Sequence, residues 1–239
     1  KATLEAADTF LAHARGANGT LAGPLTIGVI PTIAPYILPD LLSMLAEVYP
    51  DLEPRFVEEQ TQHLITRLRN GNLDLAIMAI PSETTGMVDS PLYTEKFSIV
   101  CPPDHPIAGR EDVQLSELKD LDLLLLDDGH CLRDQIVDLC RHADVNPAEA
   151  TNSVTRASSL TTIMQLVMGG LGCTLVPESA LATECHGKDV AVAHFAPDVT
   201  AEREVGLVFR SSAARSEEFR EFGTLITSAY NKAIERSQQ

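Results

Sequence analysis

Residues 25–80 read LTIGVIPTIAPYILPDLLSMLAEVYPDLEPRFVEEQTQHLITRLRNGNLDLAIMAI, and the alternation within this stretch decides the fold class. Leu25 to Ile30 is a short apolar run that fits a buried strand. Ile33 to Val48 then places Ile37, Leu41, Leu45 and Val48 on one helical face. Thr32 stands between the two elements. Pro35 suits a first helical turn, whereas Pro39 predicts that regular helical hydrogen bonding settles only after it. The pattern repeats as a strand over Glu53 to Glu58, a helix over Gln60 to Arg69 and a strand over Leu73 to Ile80. Strands alternating with helices predict an α/β fold built on a mostly parallel sheet.

The alternation resumes downstream. A second unit is predicted to begin near Phe97 to Val100 and to continue through a strand at Leu121 to Leu126. It then takes in a helix within Asp127 to Cys140, a strand at Ser153 to Thr155, a helix over Ser158 to Met168 and a strand over Cys173 to Val176. A last strand, Glu204 to Arg210, precedes an amphipathic helix with Phe219, Phe222, Leu225 and Ile226. Beyond Ile234 the tail is charged and is expected to fray. Upstream, Leu4 to Ala14 reads as a short helical segment that breaks at Gly16 to Gly19. With no initiator Met, it reads as the end of a longer helix.

The chain has 239 residues and a mass of 25.8 kDa, with 44% hydrophobic and 22% charged residues, enough for one large domain or two small ones. Its formal charge of -16 and pI near 4.7 disfavour phosphate backbones and anionic membranes, so these residues are not expected to bind nucleic acid or lipid themselves. No apolar run approaches a membrane span and no signal-peptide pattern opens the chain, which predicts a cytoplasmic protein. Five cysteines, at 101, 131, 140, 173 and 185, do not form a secreted disulfide framework.

Two of those cysteines carry the chemistry. DDGHCLRDQIVDLC, residues 127–140, puts Cys131 at the start of an amphipathic helix and Cys140 nine residues on. On a continuous helix they stand roughly 13 Å apart on opposite faces, whereas a disulfide needs Cα atoms within about 7 Å. Were they to join, the helix would have to break. A helix start favours a thiolate. Arg133 would add positive charge, and Asp127 and Asp128 would oppose it. Cys140 shares the Leu132 and Ile136 stripe and packs as a small apolar residue when reduced. His130, Cys131, Cys140 and His142 lack the ligand gaps of a zinc site, so no metal or other cofactor is expected. Gly169-Gly170-Leu171-Gly172 follows a helix and enters a strand, the reverse of a phosphate loop. Cys101, Cys173 and Cys185 lack partners at useful spacing and read as structural.

The motif Gly-His-Cys-Leu-Arg-Asp-Gln over 129–135 with Cys140 resembles the effector-binding region of LysR-type transcriptional regulators, specifically their hydrogen peroxide-sensing members. Pro31-Thr32-x-x-Pro35-Tyr36, Glu58-x-Gln60-Thr61 and Gly206 to Arg210 support the resemblance, which covers nearly the whole chain. It implies two Rossmann-like subdomains joined by two crossover strands, as in periplasmic binding proteins. Residues 1–20 would be the end of a linker helix, 21–94 with 201–239 the first subdomain, and 95–200 the second. The family's winged helix-turn-helix has no counterpart here, so DNA binding would belong to the parent protein.

The resemblance makes Cys131 the peroxidatic and Cys140 the resolving cysteine, joined by a disulfide after sulfenic acid forms on Cys131. It assigns peroxide or water contacts to Thr32, Thr61, His130, Gln135 and Arg203. Thiolate formation alone gains only about one to two powers of ten over an ordinary cysteine at neutral pH. Polar groups that align peroxide and stabilise the leaving hydroxide must supply the rest. Thr32 and Thr61 also suit a plainer role as helix caps. The resemblance further implies homodimers within a homotetramer, reduction by a glutaredoxin or thioredoxin system, and a stoichiometric switch that is not an enzyme. Two rivals remain: a domain binding a small organic effector between its subdomains, and a thiol peroxidase.

Overall fold

The computed structural model of the protein describes residues 21–146 and 151–237. The helical segment expected at Leu4 to Ala14 lies outside the described residues. The described chain divides into two compact units. Unit 1 holds the chain from residue 21 through Tyr93 together with Glu204–Lys232, and unit 2 holds Thr94–Arg203 with the end of the last helix from Ala233.

In unit 1, β1 (Gly23–Val29), α1 (Ala34–Val48), β2 (Leu52–Glu58), α2 (Thr61–Arg69) and β3 (Leu75–Ile80) follow the expected alternation. β1 pairs in parallel with β2 on one side and with β3 on the other. Sandwiched in this way, its Leu25 and Ile27 are fully buried. β3 then pairs antiparallel with β9 (Glu202–Arg210), which lies beside β4 (Met87–Cys101). Arg210 closes the turn between α2 and β3, donating from Nη1 to the carbonyls of Leu68 at 2.5 Å and Leu73 at 2.8 Å.

α1 departs from expectation twice. It runs continuously from Ala34 with Pro39 inside it, so Pro39 removes one hydrogen bond without delaying the helix. Ile37, Leu41 and Leu45 are buried as the spacing predicts, yet Val48 is 48% exposed. Val48 is the last helical residue. Tyr49, just past it, supplies the apolar cover at that end, with its ring 6.4 Å from Phe222.

Unit 2 is built around the second half of β4, flanked antiparallel by β7 (Thr174–Pro177) and β8 (Ala191–His194). β5 (Leu123–Leu126) pairs in parallel with β6 (Thr151–Ala157) and joins β7 through a single parallel bridge from Leu123 to Cys173. The helices are α3 (Cys131–His142), α4 (Leu160–Met168) and the short α5 (Leu181–Glu184). Ser159 caps α4 by accepting from the Thr162 N–H at 3.2 Å, and Gly169 and Gly170 end it. Gly170 takes a φ of 75°, so the glycine run is a helix stop as expected.

The parallel character is therefore partial. βαβ connections give parallel pairs, whereas β4 and β9 each cross a unit boundary as a single strand and pair antiparallel with β7 and β3. Both crossover strands run longer than their apolar cores suggest. The final helix, α6 (Ser216–Ser237), also continues past Ile234, and Ser237 Oγ donates to the carbonyls of Ala233 and Glu178 at 3.1 and 2.9 Å. Backbone acceptors hold a tail that its charge alone would leave frayed. Among the described residues no helix is long and apolar enough to cross a membrane.

Candidate functional site

The turn Asp127 to His130 sets the first thiol at the start of α3. Asp127 N–H continues the β-pairing to the carbonyl of Ala157 at 2.9 Å, and Gly129 then adopts a φ of 95° that its missing side chain permits. His130 is the N-cap; its carbonyl accepts from Arg133 N–H at 3.0 Å. Cys131 is consequently the first helical residue, in the turn whose N–H groups lack intrahelical acceptors. It is partly exposed, and all five cysteines are unbridged thiols.

Leu132, Ile136 and Cys140 form the buried stripe of α3, which packs on β5 and the 3-10 turn at Leu115–Asp120. Cys140 is completely buried, and that burial pushes its thiol up from the ordinary cysteine range. Cys131 and Cys140 thus occupy one unbroken 12-residue helix. The nine-residue gap again measures roughly 13 Å along it.

Charge around Cys131 is more balanced than the sequence suggests. Arg133 Nη2 lies 3.1 Å from Asp128 and its Nη1 3.8 Å from Asp134, so its positive charge already has two carboxylate neighbours. His130 is 5% exposed, and burial pushes its imidazole below the usual histidine range while Asp127 pulls weakly the other way. Burial thus favours the neutral form of the His130 imidazole.

Among the described residues three buried side-chain atoms have no hydrogen-bond partner: Gln135 Oε1 on α3 in unit 2, and Thr61 Oγ1 and Arg67 Nε in unit 1. Thr61 is the first residue of α2, whose N-cap is Gln60, so it does not cap that helix. Buried polar atoms almost always find a partner. Thr32 is 2% exposed in the turn between β1 and α1, where Ile33, without a side-chain bond, occupies the cap position.

Arg203, in unit 2, belongs to a buried cluster the sequence reading did not foresee. Its Nε and Nη2 donate to Glu95 Oε2 at 2.8 and 2.7 Å, and both side chains are fully buried. The other carboxylate oxygen accepts from Ser179 through its N–H at 3.1 Å and its Oγ. The available signal was faint: Glu95 alternates with Phe97 along β4 and so puts a charge on a buried face. α3 gathers His130, Cys131, Gln135 and Cys140; Thr32 and Thr61 belong to unit 1. Among the described residues no group of three or more His, Cys, Asp or Glu is arranged to hold a metal ion.

Comparison with known proteins places this geometry in context. Residues 18–231 match the LysR substrate binding domain. The chain is 47% identical over 226 residues to a probable hydrogen peroxide-inducible genes activator of Mycobacterium avium, covering 95% of this chain and 71% of that protein. A hydrogen peroxide-bound mutant of Corynebacterium glutamicum OxyR superposes with a TM-score of 0.94 at 59% identity, over 99% of this chain and 74% of the other. The oxidised form of the same regulator superposes with a TM-score of 0.83 at 59% identity, over 99% and 73%.

Proposed function

Since this chain belongs to the LysR substrate binding domain family, we propose that it is a hydrogen peroxide sensor whose peroxidatic residue is Cys131 and whose resolving residue is Cys140. One observation carries the reading: a partly exposed thiol at the first position of α3 and a completely buried one nine residues later on the same helix. The likeness to a peroxide-bound regulator and to its oxidised form supports it.

In the first step the Cys131 thiolate attacks one peroxide oxygen, the O–O bond breaks, and the leaving hydroxide takes a proton to become water. Cys131 is then a sulfenic acid. Attack by Cys140 on that sulfur releases a second water and forms the disulfide. His130 and Gln135 supply polar contacts to peroxide or water, with Thr32, Thr61 and Arg203 completing the set. The unpartnered oxygens of Gln135 and Thr61 favour such a role. Cys140 leaves an apolar setting only when α3 opens, so chemistry at Cys131 becomes a change of structure.

The parent regulator acts in the cytoplasm as a homodimer or homotetramer, binds DNA through its N-terminal domain, and is reset by a glutaredoxin or thioredoxin system. The domain itself switches stoichiometrically without turnover. Mass spectrometry after one equivalent of peroxide tests the proposal. The expected product is one Cys131–Cys140 bridge; Cys140→Ser retains a trappable sulfenic acid on Cys131, and Cys131→Ser forms no bridge to Cys140. Absence of selective reaction would favour an organic effector domain, and continued peroxide consumption with reductant a thiol peroxidase. Equal sulfenic-acid trapping in Cys131→Ser and the parent would remove Cys131 from the mechanism.

A further inference from the structure

Unit 2 holds a second pair of thiols, brought together by strand register. β4 and β7 pair antiparallel with Phe97 opposite Pro177, Ser98 opposite Val176, Ile99 opposite Leu175 and Val100 opposite Thr174. Continued one residue past the start of β7, the same register brings Cys101 opposite Cys173, and the two thiols are near enough to perturb each other's ionisation. The sequence spacing of the two cysteines gave no sign of this proximity.

The rung is of the close kind. Cys173 donates its N–H to the Asp122 carbonyl at 2.9 Å and accepts from Leu124 N–H at 2.7 Å, so both of its backbone groups turn away from β4. Cys101 and Cys173 thus form a non-hydrogen-bonded antiparallel pair, whose Cα atoms ordinarily lie about 4.5 Å apart. A disulfide accommodates Cα separations of about 4.4 to 6.8 Å. The contrast with α3 is sharp, because Cys131 and Cys140 need a helix to open and Cys101 and Cys173 need no change of backbone register.

We propose that Cys101 and Cys173 are a second dithiol couple, which hydroperoxides oxidise to a cross-strand disulfide tying β4 to β7. Cys101 thiolate attacks the peroxide O–O bond, giving a Cys101 sulfenic acid and, after protonation of the leaving hydroxide, one water. The Cys173 sulfur then attacks Cys101, and its thiol proton leaves with the hydroxyl as a second water. Two thiols are oxidised and one peroxide is reduced. The proximity of the two thiols favours ionisation of one at the expense of the other, and the same disulfide results whichever sulfur leads. Cys101 is 0% and Cys173 1% exposed, so the reaction waits on transient opening of the sheet and is slower than that of a partly exposed thiol.

The test uses Cys131→Ser protein, in which the proposed sensor reaction cannot begin. After excess hydrogen peroxide, the protein is denatured without reductant, alkylated and mapped. The thiol count is expected to fall from four to two, with Cys101 and Cys173 recovered as one linked peptide pair and Cys140 and Cys185 alkylated. Adding Cys173→Ala should abolish the link. If Cys101 and Cys173 both alkylate as thiols, or if the lost thiols are Cys140 and Cys185, the couple does not exist. Neither result bears on Cys131.

Discussion

Under the proposed mechanism, polar groups around Cys131 set how fast its thiol reacts. Thr32→Val is nearly isosteric at a position 2% exposed, and it removes a group proposed to hold peroxide or the leaving hydroxide. The expected outcome is slower oxidation with little change in thermal unfolding, read by stopped flow beside a melting curve. An unchanged oxidation rate would leave Thr32 a purely structural residue. His130 makes a prediction about pH. Burial holds its folded pKa below the ordinary 6.5, so as pH falls past that value the unfolded chain takes up the proton first. His130 therefore lowers stability progressively below about pH 6.5, until the folded imidazole also protonates. Urea unfolding at pH 7.5 and 5.5 should show a smaller acid loss in His130→Gln than in the parent. The position of Cys131 was legible in the sequence because a turn glycine precedes it and an apolar stripe follows. The counter-ions of Arg133 were not, because which of several nearby aspartates a side chain meets depends on rotamers.

At the level of elements, a buried charge cluster ties two strands and a turn of unit 2 together. Glu95 on β4 holds Arg203 on β9 and Ser179 just after β7, all buried within unit 2. Glu95→Ala would leave a buried guanidinium without its carboxylate, and a loss of about 3–5 kcal/mol is expected in urea unfolding. A loss below about 1 kcal/mol would mean that water or another group compensates. The sequence revealed strands through apolar runs, which found β1, β3 and the core of β5 but only the apolar end of β4. Met87 to Thr94 is mostly half-buried and mixes polar with apolar residues, so it carries no such run. The Cys101–Cys173 rung was hidden for a related reason. Register depends on where both strands begin, and a one-residue slip would turn either sulfur to the other face.

At the scale of the whole molecule, the alternating pattern and the apolar periodicities were enough to give the α/β class. They did not reveal that two single strands pass between the units, since a strand crossing a boundary has the same local sequence pattern as one that stays within it. The central claim is that chemistry at Cys131 becomes a change in structure. On the intact helix the two sulfur-bearing residues are roughly 13 Å apart, beyond what side-chain rotation can close. Leu132 and Ile136, buried at 1% and 2%, hold that helix in place in the reduced state. The most direct measurement is hydrogen exchange over every peptide of the reduced protein and of the protein carrying the Cys131–Cys140 bond. The account predicts lost protection concentrated between Asp128 and Arg141. A bonded protein in which that segment keeps the protection of a continuous helix would contradict it.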